Sequence, residues 1–182
     1  MKNLVLTLML TVFVGTSANA GVLLEPYMGM HFNSSAELTG VTDEFEVSGM
    51  GLGARLGYQN LGLMLGLNYK TAAFEFKPKT GSTVDIDHSH YGLFVGYNLP
   101  VMVRFWAEYV VGGSADVKDG GNFEKITGTQ LGIGYTGLPF ISLNFELGNL
   151  KYDDFKDQAG ASSSSTTDLT TYMLSVSLPI TL

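Results

Sequence analysis

Read in steps of two, the chain beyond residue 20 separates into two unlike faces. At its end Tyr172, Leu174, Val176, Leu178, Ile180 and Leu182 alternate with Thr171, Met173, Ser175, Ser177, Pro179 and Thr181. A period of two marks β-strands whose faces meet different surroundings. The same reading holds for Met50, Leu52, Ala54, Leu56 and Tyr58, for Leu61, Leu63, Leu65, Leu67 and Tyr69, and for Tyr91, Leu93, Val95 and Tyr97. It returns in 101–111, where Val103, Phe105, Ala107 and Tyr109 oppose Arg104, Trp106 and Glu108, and again in 128–135 and 141–148. The opening segment sets Leu24, Pro26, Met28, Met30 and Phe32 against Glu25, Tyr27, Gly29 and His31. Eight strands are predicted, with no helical period between them.

The connections sort into two kinds. Short ones fall at Gln59-Asn60, Asn98-Leu99-Pro100 and Gly137-Leu138-Pro139, and long polar ones near 33–46, 77–88, 114–126 and 153–168. They alternate strictly, as in an up-and-down barrel with short turns on one rim and longer loops on the other. The expected fold is therefore all-β: an eight-stranded antiparallel transmembrane β-barrel, with both termini on the short-turn rim.

Charge decides which face is outside. The polar face carries Glu25, Arg55, Lys70, Arg104, Glu108 and Glu146 among Gly, Ser, Asn and Gln, whereas the other is Leu, Val, Ile, Phe and Tyr. A lumen built from the first set would not drive folding in water. In lipid the arrangement works, because a closed barrel pairs every backbone group internally. The six charges are expected to form a lumen network, since isolated buried charges are costly. Tyr58, Tyr97, Tyr135 and Tyr172 stand near the ends of apolar stripes and are expected as an aromatic girdle.

Composition narrows the class. Residues 1–20 join Lys2, an apolar run from Leu4 to Val14 and a small-residue end at Ala18-Asn19-Ala20, the pattern of a secretory signal peptide. Residues 21–182 then form one barrel domain. The 182-residue chain has no cysteine, so zinc–thiolate sites and cysteine catalysis drop out. Its formal net charge of −7, without a basic run, argues against nucleic acid as a partner.

On the 1–20 segment, the Leu24-Glu25-Pro26-Tyr27-Met28-Gly29 opening, the glycine-alternating strands and the closing Tyr172–Leu182 strand, the chain resembles small bacterial outer-membrane barrels of the OmpA/OmpX type. The resemblance implies residence in the outer membrane, contact with its lipids and lipopolysaccharide, and handling by the barrel-assembly machinery through the last strand. Such strands commonly end in an aromatic residue; this one ends in Leu182.

Catalytic chemistry is not evident. In His88-Ser89-His90 neighbouring residues point to opposite faces, so Ser89 does not meet His90. His88 and His90 share a face near Asp85 and Asp87 and are expected to be solvated at a loop–strand junction. No catalytic, cofactor-binding or metal-binding residue is assigned, and no cofactor is expected. Glu37, Asp43, Glu44 and Glu46, then Lys118, Asp119 and Lys125, then Asp153, Asp154 and Asp157 make hydrated loops that offer a site for a surface ligand. The expected role is structural or surface-interacting. The alternatives are an outer-membrane lipid-modifying enzyme and a narrow porin-like channel.

Overall fold

The computed structural model describes residues 20–38, 44–78, 82–118, 120–157, 161–163 and 166–182. The predicted signal peptide lies outside these apart from Ala20. Seven long strands follow one another: β1 (Gly21–Leu38), β2 (Glu44–Asn60), β3 (Leu63–Lys77), β4 (Val84–Asn98), β5 (Val103–Val117), β6 (Asn122–Tyr135) and β7 (Ser142–Lys156). The two-residue β8 (Ser162–Ser163) lies against the end of β7, and β9 (Thr167–Ser177) continues past Pro179 into β10 (Ile180–Thr181). Each long strand pairs antiparallel with the next, and β9 pairs with both β7 and β1. The sheet thereby closes into an eight-stave barrel, with β9 and β10 as the last stave. Each of the eight staves is thus paired on both sides, and among the described residues only the short β8 and β10 keep an unpaired edge.

The start of β1 and the end of β10 sit at the short-turn rim, where the Val22 and Leu182 backbones exchange hydrogen bonds of 3.0 and 2.9 Å. The first turn is centred on Leu61-Gly62, not on Gln59-Asn60 as expected, because β2 and β3 stay paired through Asn60 and Leu63. Leu61 (φ 49°) and Gly62 (φ 84°) both take the positive φ that a two-residue hairpin turn requires. Glycine adopts it freely, and that fixes the turn there.

The far-rim connections are shorter than their polarity suggests. β1 runs on to Leu38, β5 to Val117 and β7 to Lys156, and β4 begins at Val84, all inside stretches expected as loops, while β3 reaches Lys77. In these extensions the two faces exchange character. On β3, Leu63, Leu65, Leu67 and Tyr69 point outward, followed by Glu75 and Lys77, while inward Asn68 and Lys70 give way to Ala72, Phe74 and Phe76. The upper interior is an apolar core that includes Phe74, Phe76, Ile86, Ile126, Leu150 and Leu169. A smaller cluster of Leu23, Met64 and Phe94 lies inside nearer the short turns. The charged side chains occupy the interior between these two apolar layers.

Bulges keep the upper layer facing inward. β1 slips against both neighbours around Asn33 (φ 49°), and Val111 of β5 is an extra residue opposite the Tyr91–Gly92 step. Each slip reverses the alternation, so Ala36 and Ala115 face the core where an uninterrupted count would turn them out.

Candidate functional site

The structure places Glu25, Arg55, Lys70, Arg104, Glu108 and Glu146 inside the barrel, each no more than 2 % exposed. Glu25 and Arg55 are direct cross-strand partners on β1 and β2. Arg55 donates from Nη1 to Glu25 Oε1 at 3.2 Å and from Nη2 to Glu146 Oε1 at 2.8 Å. Arg104 grips Glu25 with both terminal nitrogens, Nη1 reaching Oε2 at 2.8 Å, and Nη2 also donates to Asn144 and Ser177. Lys70 Nζ donates to Glu146 Oε2 at 2.7 Å and to Gln130 Oε1 at 2.8 Å. Glu108 stands apart from the ion pairs. Its Oε2 accepts from Asn68 at 2.8 Å, and its Oε1 lies 3.8 Å from His90 Nε2. Arg104 and Glu108 share a face of β5 but bind different partners.

Three carboxylates thus share the lumen with three fixed cations, so the fixed buried charge sums to zero. Aromatic rings complete the packing. The Arg55 guanidinium lies 4.5 Å from the Tyr27 ring centre and 4.4 Å from that of Trp106, which Arg104 approaches to 5.1 Å. Such cation–π contacts strengthen when desolvated. Gly132 makes room for the indole, since a Cβ there would run into the Trp106 ring.

His88 and His90 are not solvated as expected; each is about 1 % exposed, because the strand continues past the predicted junction and turns both rings into the lumen. His90 Nε2 lies 3.2 Å from Gln130 Nε2, His90 Nδ1 lies 2.6 Å from His88 Nε2, and His88 Nδ1 lies 2.8 Å from the Tyr152 hydroxyl. Lys70 can only donate, so the Gln130 oxygen must face it and the amide nitrogen must face His90. With both rings neutral, each histidine then carries its proton on Nδ1 and donates toward Tyr152. Ser89 points the other way, 3.4 Å from Ser114, so among the described residues no serine meets these histidines.

The resulting chain runs from Tyr152 through His88, His90, Gln130, Lys70, Glu146, Arg55 and Glu25 to Arg104 and Ser177. It draws a side chain from every one of the eight staves. Asn68, Gln130, Asn144 and Trp106 were visible in the sequence as polar-face positions. Their partners were not, because alternation gives the face of a residue and not its neighbour across a lumen. Tyr152 fell outside the predicted strand altogether.

On the outer wall Tyr58, Tyr97 and Tyr135 project beside the short turns. Tyr172, partly covered, stands toward the other end in a cluster with Phe32 and Phe145, the ring centres 6.3 to 6.4 Å apart. Tyr69, Tyr91 and Tyr109 are outward and more than half exposed. Tyr91 and Tyr97, six residues apart on β4, are separated by roughly 20 Å of strand.

Comparison with protein-family models and with curated proteins gives no match. Among solved structures the chain is similar to Neisserial surface protein A, with a TM-score of 0.51 and 12 % identity over 87 % of this chain and 98 % of that one. It also aligns with the outer membrane protein OprG from Pseudomonas aeruginosa (TM-score 0.49, 14 % identity, 91 % and 98 % covered). A further alignment is with the outer membrane protein AlkL (TM-score 0.49, 14 % identity, 92 % and 93 % covered). The first of these likenesses is one of fold.

Proposed function

We propose that this chain is an integral barrel of a bacterial outer membrane, with a structural or surface-interaction role and no catalysis. The observation that supports this is the outer wall. A belt that includes Leu65, Leu67, Leu93, Val95, Phe105, Leu131, Ile133, Leu143 and Leu174 is exposed, and its flanks carry tyrosines. Among the described residues, charge appears on the wall only beyond the upper tyrosines, as at Glu46, Glu75, Lys77, Asp85, Asp87, Lys125 and Lys151. A water-soluble monomer does not leave an apolar surface of that extent uncovered, whereas a hydrocarbon layer requires a band about 25 Å tall between aromatic girdles.

On this reading the short turns and both termini face the periplasm, and the charged upper barrel rises from the outer leaflet among lipopolysaccharide. The assembly machinery engages the β9–β10 stave. The lumen network is a plug, held between two apolar layers. Fractionation of the native host and gel migration of the band before and after boiling test the proposal together. A heat-shifting band in the outer membrane is the expected result; a soluble periplasmic protein without a heat shift sinks it.

A further inference from the structure

The two rims of the barrel differ in kind. Toward the far rim the wall is charged, as at Glu75, Lys77, Asp85 and Asp87. At the short-turn rim the stretches 21–24, 56–69, 92–103, 131–145 and 169–182 hold no Asp, Glu, Lys or Arg. The exposed side chains there include Leu61, Val101, Met102, Leu138, Phe140 and Leu182, with Phe140 87 % and Leu61 68 % exposed. The backbone works against this choice. Leu61 (φ 49°), Met102 (φ 63°) and Phe140 (φ 67°) stand one in each short turn, all in the left-handed region. Large side chains seldom adopt it, and glycine or asparagine would take it with less strain. Three turns at one rim thus hold a bulky apolar residue in a strained conformation and leave it uncovered, where water-facing turns ordinarily use Gly, Asn, Asp or Ser.

The height of the apolar belt assigns these residues their surroundings. Tyr91 and Tyr97 lie roughly 20 Å apart along β4, which at a strand tilt of about 40° is roughly 15 Å of height. A hydrocarbon layer needs a band about 25 Å tall, so one tyrosine row must stand inside the band and not at its edge. The band cannot grow upward, because Ser89 and Asp87 follow Tyr91 on the same wall. It can grow downward. On β1 the outward residues run Val22, Leu24, Pro26, Met28, Met30 and Phe32. That run covers roughly 33 Å of strand, or roughly 25 Å of height at the same tilt, and Val22 is bonded to Leu182 at the rim itself. We propose that the rim is the lower edge of the embedded band. The short turns, on the periplasmic side, are immersed in the inner leaflet, and Leu61, Met102 and Phe140 anchor them among phospholipid acyl chains just inside the headgroups.

The inference rests on the membrane reading above and deepens it. The distribution of the residues selects lipid over a protein partner. They recur at the β2–β3, β4–β5 and β6–β7 turns and at the closing end of β10, so they ring the rim as a surrounding layer requires and a partner docked on one side does not. Pro100, Pro139 and Pro179 stand at three of these four corners and carry no N–H to leave unpaired away from water. The lower tyrosines lean the same way. The Tyr135 hydroxyl lies over Gly137 and the hydroxyl-bearing carbon of Tyr97 over Gly62, both in the turns. A ring set a few ångströms inside an interface turns its polar tip back toward it in this manner.

The absence of cysteine from the chain makes the test direct. Leu61→Cys, Met102→Cys and Phe140→Cys each carry one nitroxide label, with Leu67→Cys in mid-belt and Asp87→Cys on the upper wall as references. The full mature barrel is folded into phospholipid nanodiscs, which leave both faces open to the buffer. Collision of each label with oxygen, which concentrates in lipid, and with a water-soluble nickel chelate is then measured by power saturation. Nickel access at the rim labels should be about fivefold below that at residue 87, since a polar complex is costly to bring into hydrocarbon, and oxygen access should exceed that at residue 87. Nickel access equal to that at residue 87 overturns the proposal. Protection from both reagents also overturns it, because a second copy of the chain would then cover the rim. Nickel access at residue 67 overturns the membrane reading itself, and this inference with it. Heat-shifted migration shows which labelled variants have folded, and any one of the three turns carries the test.

Discussion

Replacing Glu25 by glutamine removes a charge but almost no volume from the point where two guanidinium groups converge. Arg104 loses its only carboxylate partner among the described residues and keeps the neutral oxygens of Asn144 and Ser177, while Arg55 keeps Glu146. The lumen passes from three against three to a surplus of one positive charge, in a place less than 3 % exposed. Breaking a buried pair from one side costs about 3–5 kcal/mol, and the residual amide hydrogen bond to Arg104 puts Glu25→Gln toward the lower end of that range. Adding Arg104→Met restores neutrality and replaces the lost guanidinium with an apolar side chain beside Trp106. The double variant should therefore recover most of the loss. The readout is built in: Trp106 is the sole tryptophan of the chain and lies against both arginines. Its emission, followed through a urea titration of the barrel folded into vesicles, reports on the site in question. A Glu25→Gln barrel within about 1 kcal/mol of wild type would refute the charge argument, since exposed pairs behave that way and buried ones do not. So would a double variant less stable than the single one.

Other substitutions probe separate layers. Gly132→Ala drives a methyl into the Trp106 ring and should cost about 1–3 kcal/mol, with a shift of the Trp106 emission in the folded state as a second check. Phe74→Ala opens the upper core, where the ring is 2 % exposed, and should cost about 3–5 kcal/mol in the same titration. Leu67→Arg places a cation in mid-belt and should cost about 2–4 kcal/mol for folding into bilayers. Asp87→Lys, on the outer wall beyond Tyr91, should leave that folding unchanged. Equal effects of the last two would mean the belt has been placed at the wrong height.

How far the sequence could be read depends on the height along the barrel. In the belt every stave alternates without a slip, so strand number, inward charges and outward tyrosines all follow from counting in twos. Above the belt two things fail together. Asn33 and Val111 each insert a residue, and the count falls out of phase. Where no bulge intervenes, as on β3, the alternation of Ala72, Phe74 and Phe76 with Glu75 and Lys77 is clean. Its polarity is reversed, however, and a reading that assigns apolar residues to the outside ends the strand at Lys70. The extension is a water-facing barrel built on a lipid-facing one, and it is recognisable only when both polarity rules are allowed on the same strand. The partners of the charges, and the histidines' place among them, depend on contacts across a lumen that period two does not encode.

The position of the charges also bears on what they do. Burying three cations and three carboxylates is a poor way to gain stability, because an apolar filling of equal volume does as well or better. What the charges can do is make register errors costly. Because side chains alternate strictly, a slip of one residue on any stave exchanges its faces. For β2, β3 or β5 that would carry Arg55, Lys70 or Arg104 onto the lipid-facing wall, at a cost that grows from about 0–1 kcal/mol at the tyrosine girdles, where Lys70 and Arg104 stand, toward about 2–4 kcal/mol at mid-bilayer, and leave a buried carboxylate short of a partner. A lumen of leucine and glycine would impose no comparable penalty, since its staves would meet lipid equally well from either face. The staves without a fixed charge inside, β4, β6 and β9, join through His88 and His90, Gln130, and Ser175 and Ser177, so each of them also loses a hydrogen-bonding partner on slipping. The network is therefore best understood as the device that selects one closure of the barrel out of many with similar apolar surface.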